Sequence, residues 1–218
     1  MPSYSWRDYR RRTLDVQRLS RDYKTLRDIF NKKGRVALDH LTRSGILMLC
    51  GAWETYIEDI LREVATHFAT LDKIDELPRE VKKTIALYVK NHKNDNKVLE
   101  LADGGWKTLY LNEIVEDTIS GFNTPKVHNI KEISEKLIGY KEILACLTPG
   151  DLYLINDFVK DRGHIAHNVR SRGDKYLNAE KLDEYVDEFQ MIVNAIDNHM
   201  QNYVRPYITS RPWNRVTE

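Results

Sequence analysis

Cysteine is almost absent from this chain. There are two, Cys50 and Cys146, far apart and each among apolar neighbours, so neither a disulfide framework nor a C-x-x-C metal knuckle is available. Both are expected as small buried side chains. Glycine and proline are also scarce, 10 and 6 in 218 residues, which excludes low-complexity and collagen-like chains and leaves room for long helices. No charge sign dominates: 34 Lys and Arg face 33 Asp and Glu, for a formal +1. Any contact with nucleic acid must therefore come from local basic clusters. The longest apolar run, "GILMLCGAW" at 45–53, falls far short of the roughly 20 residues of a membrane span. No signal-peptide pattern opens the chain, and the expected location is cytoplasmic. Gly-rich phosphate loops, nucleophile elbows and zinc-ligand spacings are missing too, which removes most enzyme classes.

What is present is helical periodicity. Val16, Leu19, Tyr23, Leu26 and Phe30 keep a three-four spacing, one face of an amphipathic helix that ends at "NKKG". From about Arg35 to Ala69 a longer helix carries two apolar stripes, Leu47, Cys50, Ile57, Leu61 and Ile46, Leu49, Trp53, Ile60, Val64. A helix this apolar belongs at the centre. Residues from about 71 to 119 are less regular, with a short helix after Pro78, a polar stretch "KNHKNDNK" and the pair Gly104-Gly105, and read as an insertion of short helices and loops. Gly139 ends a helix begun at "NIKEISEKLIG", Thr148-Pro149 opens the next, and Asn178 caps the last, whose apolar rhythm runs from Leu182 to Tyr203. No segment alternates in the strand period. The expectation is an all-α helical bundle over 1–218 as one domain, with core helices about 5–70 and 120–205.

The segment "KDRGHIAHNVR", 160–170, has too many polar groups for an ordinary core helix. Ile155, Phe158, Val159, Arg162, Ala166 and Val169 fall on one side, so Arg162 interrupts an apolar stripe. A guanidinium cannot shed its charge and needs an anion or an interface there. His167 lies about 100° round the helix from Ala166, at the stripe's edge. His164 and His167 are three apart, as metal ligands can be, but without a nearby Cys or acidic cluster no metal site is expected. Glu54 stands on the apolar face of the long helix, where a carboxylate must be paired. It either orients Arg162 or His167, or forms a structural ion pair, with Arg43 as the candidate. Two basic clusters interleave aromatics: "RDYRRR", with Arg10, Arg11 and Arg12, and "RPWNR" at 211–215. Such mixtures suit phosphate contact and base stacking, although charge runs are usually solvated faces.

Arg162, four intervening residues and His167 match the Arg-x(4–6)-His signature of the HEPN superfamily. "LTRSGILMLCGAWETYIEDIL" resembles the second-helix segment of the RiboL-PSP-HEPN-like group, with its Trp-Glu pair. "GFNTPKVHNIKEISEKLIG" and "IAHN" are similar to that group's segments before and at the end of the motif helix. The resemblance covers about 35–70 and 120–205. It implies a HEPN-like bundle and a ribonuclease of prokaryotic defence or toxin–antitoxin systems, working without metal or cofactor. Arg162 and His167 would be catalytic, pooled across a homodimer, with Glu54, His164, Asn168 and Asp161 in support. RNA and an antitoxin or defence protein would be the partners, with no membrane. Many active members carry a polar residue after the motif arginine where this chain has Gly163, and His164 is the candidate substitute. Val169 replaces the tyrosine that some HEPN toxins offer for modification. Histidine near its ordinary pKa of about 6.5 serves as acid or base, and arginine clamps a phosphate bidentately. The alternatives are a HEPN domain that binds RNA or a protein without cutting, and a plain helical scaffold.

Overall fold

The computed structural model describes residues 1–30, 35–167 and 178–217. Among these there is no strand, and eight α-helices carry the architecture. They are α1 (Tyr4–Phe30), α2 (Arg35–Phe68), α3 (Arg79–Asn91), α4 (Trp106–Thr108), α5 (Glu116–Ser120), α6 (Val127–Ile138), α7 (Pro149–His167) and α8 (Ala179–Val204). The "NKKG" stretch lies outside the described residues.

The centre is α2. Ile46, Leu49, Cys50, Trp53, Ile57, Ile60, Leu61 and Val64 are all buried, so the two stripes read from sequence form one broad apolar face. Leu47 is the exception. At 38% exposed it sits at the margin of that face and points partly to water. Antiparallel to α2 runs α1, fixed at one end by Tyr9 against Tyr56 and at the other by Tyr23 with Leu38. The pair is closed by α8, whose first turn is capped by Asn178 accepting from the Lys181 N–H at 2.9 Å. Gly45 makes this packing close: a Cβ there would overlap the Leu182 side chain, which is itself fully buried.

The 71–119 region does hold short helices and irregular turns, and its apolar side is part of the same core. Trp106, Leu109, Tyr110 and Ile114 are buried with the residues of α2 and α8. Between α4 and α5 the helix runs through Leu109–Val115 in π register. Its outer surface is tied down by Lys97, whose ammonium donates to Glu100 and Glu113 at 2.7 Å each. Gly139 ends α6 at φ 70, a left-handed conformation that glycine adopts without Cβ strain. A reciprocal capping box opens α7, with Thr148 N–H donating to Asp151 Oδ2 at 2.8 Å and Asp151 N–H to Thr148 Oγ1 at 3.2 Å.

The two ends of the chain meet at a buried carboxyl. Ser3 Oγ accepts from the Trp6 N–H and donates to Asp197 on α8, while Glu63 on α2 accepts from the N–H groups of Tyr4 and Ser5. From the C-terminal tail, Trp213 donates its indole N–H to the Asp197 carbonyl at 3.3 Å.

Candidate functional site

The helix that carries the motif is anchored by its N-terminal half. Ile155, Phe158 and Val159 are buried, with the Phe158 ring 4.6 Å from Phe189 and 5.0 Å from Tyr185 on α8. One turn later the packing loosens. Arg162 is half-buried and Ala166, expected on the apolar stripe, is exposed. The apolar contacts that would cover position 166 belong to no neighbouring helix in the described chain. His167 is the last residue of α7; Asn168 and Val169 lie outside the described residues.

Arg162 lies at the seam between α7 and α2. Its charge is felt by two α2 side chains one turn apart, Cys50 and Glu54. Burial pushes the Glu54 carboxyl above its ordinary range, and the Arg162 guanidinium pulls it back down. Burial likewise lifts the Cys50 thiol to about 11 against the same arginine, and because its side chain is closed to solvent Cys50 is an inert spacer rather than a nucleophile. The sequence left Glu54 between Arg43 and the motif. Arg43 instead pairs with Asp39 one turn earlier on α2, at 3.2 Å. Sequence reading passed over Glu58, one turn beyond Glu54. Its carboxyl is also raised, by burial first and in part by the Glu54 charge, against the pull of Arg62. The i, i+4 spacing from Glu54 was the available signal.

The other expected residues are dispersed. His164 is exposed. Asp161 is half-buried and within electrostatic reach of the Tyr185 hydroxyl on α8. A Cβ at Gly163 would meet nothing within 4 Å, so the helix has room next to Arg162 for the side chain the sequence omits. The basic clusters fare less well as stacking surfaces. Tyr9 and Trp213 are both core residues, because each aromatic is spent on the α1–α2–α8 packing. Arg10 donates to Gln190 at 2.9 Å and lies over the Trp6 ring, and Arg12 pairs with Asp8 at 2.6 Å. Arg11 is exposed. Cys146, expected inside, is at the surface, while Cys50 is buried.

The sequence signature of the RiboL-PSP-HEPN family matches residues 8–202, a span that holds α2, α7 and every residue of the seam. The chain belongs to the RiboL-PSP-HEPN family. No curated protein and no solved structure matches it. HEPN domains are all-α, as this one is, and are often ribonucleases, so membership fits an RNA-related role. No helix among the described residues is long and apolar enough to cross a membrane. Three or more His, Cys, Asp or Glu side chains nowhere gather at metal-binding distance among the described residues.

Proposed function

We propose that this HEPN protein is a metal-independent endoribonuclease of a prokaryotic defence or toxin–antitoxin system, cutting at a site shared by two copies of the chain. The observation that carries the reading is the position of Arg162: a motif guanidinium at a half-open helix seam, facing a carboxylate that burial has lifted. The Glu54 charge lies within electrostatic reach of this cation, and the guanidinium would donate to a phosphate. His167, one turn further on the same helix, moves the proton of the ribose 2′-hydroxyl or of the leaving oxygen. The second copy supplies a second motif. An apolar margin suited to such pairing flanks the seam, where Leu47 and Met48 are 38% and 42% exposed and Gly51 and Ala166 add no bulk.

The test is cleavage of a defined single-stranded RNA by the purified protein in EDTA. Cutting should leave a 2′,3′-cyclic phosphate and a 5′-hydroxyl, should vanish when the ribose at the cut site is deoxyribose, and should drop at least 100-fold in Arg162→Ala and His167→Ala, on the scale of one lost acid–base or charge-stabilising group. Cleavage that needs magnesium, or that survives without the 2′-hydroxyl, refutes the mechanism. A protein that binds RNA tightly and never cuts it supports the second reading, a non-catalytic RNA-binding HEPN domain, which Gly163 after the motif arginine favours. Sedimentation at micromolar concentration should show a dimer.

A further inference from the structure

Helix α1 turns Tyr9, Thr13, Val16, Ser20 and Tyr23 inward, where they are buried. The side directly opposite presents Arg7, Arg11, Leu14, Arg18 and Arg21, at spacings of four, three, four and three. Arg7 is half-buried and the other four are exposed. At about 1.5 Å per residue the row runs about 21 Å along the helix. Between residues 4 and 22 six arginines stand against three aspartates, with no lysine or glutamate, in a chain whose overall excess is +1. The positive charge is local, and it lies on one face.

Most of that charge is also unspent. Among the described residues Arg11 and Arg21 have no carboxylate at ion-pair distance. Arg7 donates from Nε to the Ser3 carbonyl at 3.4 Å and lies 5.6 Å over the Tyr4 ring, contacts that leave its charge uncancelled. Of the four arginines in the row only Arg18 is paired, with Asp15 at 2.7 Å. Both side chains of that pair are more than half exposed, so water and salt screen it and a phosphate can compete for the guanidinium. Asp8 is engaged by Arg12 at 2.6 Å, and Arg10 turns aside to Gln190. Asp22, exposed beside Arg21, is outweighed by the row.

A straight row of cations fits a ligand whose negative charges also repeat along a line, as the phosphates of a nucleic-acid strand do. Leu14, 48% exposed, is the one large apolar side chain within the row, so a protein partner would find no apolar core to bury there. Tyr4, 58% exposed at the start of the row, offers an aromatic ring to a base. We infer that the outer face of α1 holds single-stranded RNA by its backbone, with Arg7, Arg11, Arg18 and Arg21 on phosphates and Tyr4 stacked on a base. The inference goes beyond the nuclease reading and shares only the RNA with it, since holding a strand on α1 requires no cleavage.

The probe is a fluorescein-labelled 2′-O-methyl RNA of about 20 nucleotides, which cannot be cut through its 2′-oxygen, followed by anisotropy between about 50 and 200 mM salt. At about 0.7 per phosphate contact, the four arginines contribute about 2.8 to the log–log salt slope, or roughly a 50-fold loss of affinity over that range. Arg7→Gln, Arg11→Gln, Arg18→Gln and Arg21→Gln together should remove that share of the slope and weaken binding at least tenfold at about 100 mM salt, with the thermal melt in place. Arg11→Gln with Arg21→Gln, the two without partners, should remove about half of it. Tyr4→Ala should weaken binding about fivefold and leave the slope unchanged. A charge-matched control replaces the exposed Lys73, Lys83, Lys90 and Lys93 with Gln and should bind within about twofold of the wild type. Arg162→Ala should keep the slope to within about one contact, and tight binding by a wild type that never cuts RNA would sink the nuclease reading alone. An equal loss in the lysine control, or an unchanged slope in the arginine variant, would overturn the proposal. So would displacement of the RNA by oligoglutamate of matched charge, which would assign the row to an acidic protein.

Discussion

Asp197 offers the sharpest physical test of the fold, because its carboxyl is fully buried and one of its oxygens, Oδ2, has no hydrogen-bond partner. Burial pushes its pKa from 3.8 up to about 7, opposed by the Ser3 hydroxyl and reinforced by the nearby Glu63 charge. Between those two values the folded protein holds a proton that the unfolded chain has released. Stability is therefore full below about pH 4 and is lost as pH rises through about 7. A rise of about three units corresponds to roughly 4 kcal/mol, an upper bound for a group that relaxes on ionising. Urea unfolding of the wild type and of Asp197→Asn, at intervals from pH 5 to pH 9, isolates the effect. Asparagine keeps an oxygen for Ser3 and cannot ionise. Other carboxyls raised by burial, Glu54, Glu58 and Asp59, contribute slopes of the same sign in both proteins and cancel in the difference. The wild type should lose on the order of 1–3 kcal/mol more than the variant across that range, nearly all of it between pH 5 and about 7. Parallel pH profiles for the two proteins would show that Asp197 is not held protonated by the chain ends packed on it.

Gly45→Ala should cost about 1–3 kcal/mol in chemical denaturation, since the added methyl overlaps the buried Leu182 side chain and forces its Cδ atoms to shift; a neutral substitution would mean that Leu182 re-packs, or α2 and α8 move apart, without cost. Gly163→Asn should leave stability within about 0.5 kcal/mol, with open space at the Cβ, and should raise the rate of RNA cleavage, so an unchanged or lower rate would show that Arg162 does not use a polar neighbour. In the native protein a thiol reagent should modify the exposed Cys146, slowly because burial of its sulfur lifts that thiol to about 11 as well, and spare the enclosed Cys50, checked by mass spectrometry of the labelled peptides, and rapid labelling of Cys50 would contradict the packing of α2.

The bounds of α2, the left-handed stop at Gly139, the Thr148-Pro149 start of α7 and the Asn178 cap were all legible because each is a local event. Caps, turns and a three-four rhythm act over one or two helical turns, and the sequence states them directly. The family was legible for a related reason, as motif spacing is also local. What the chain by itself could not settle is which apolar residues are covered. Leu47 and Ala166 have the periodicity of core residues and lie at the surface, whereas Tyr9 and Trp213 sit in basic clusters and are buried, because burial depends on which helix arrives from elsewhere in the chain. The same holds for the site. That the Arg162 charge reaches Glu54 was decided by how α7 lies across α2, and the 0% exposure of Asp197 by the packing of Ser3 on an α8 residue 194 positions away. Local sequence specifies a helix and its face; the charge a carboxyl feels depends on the distances and desolvation that only tertiary packing creates.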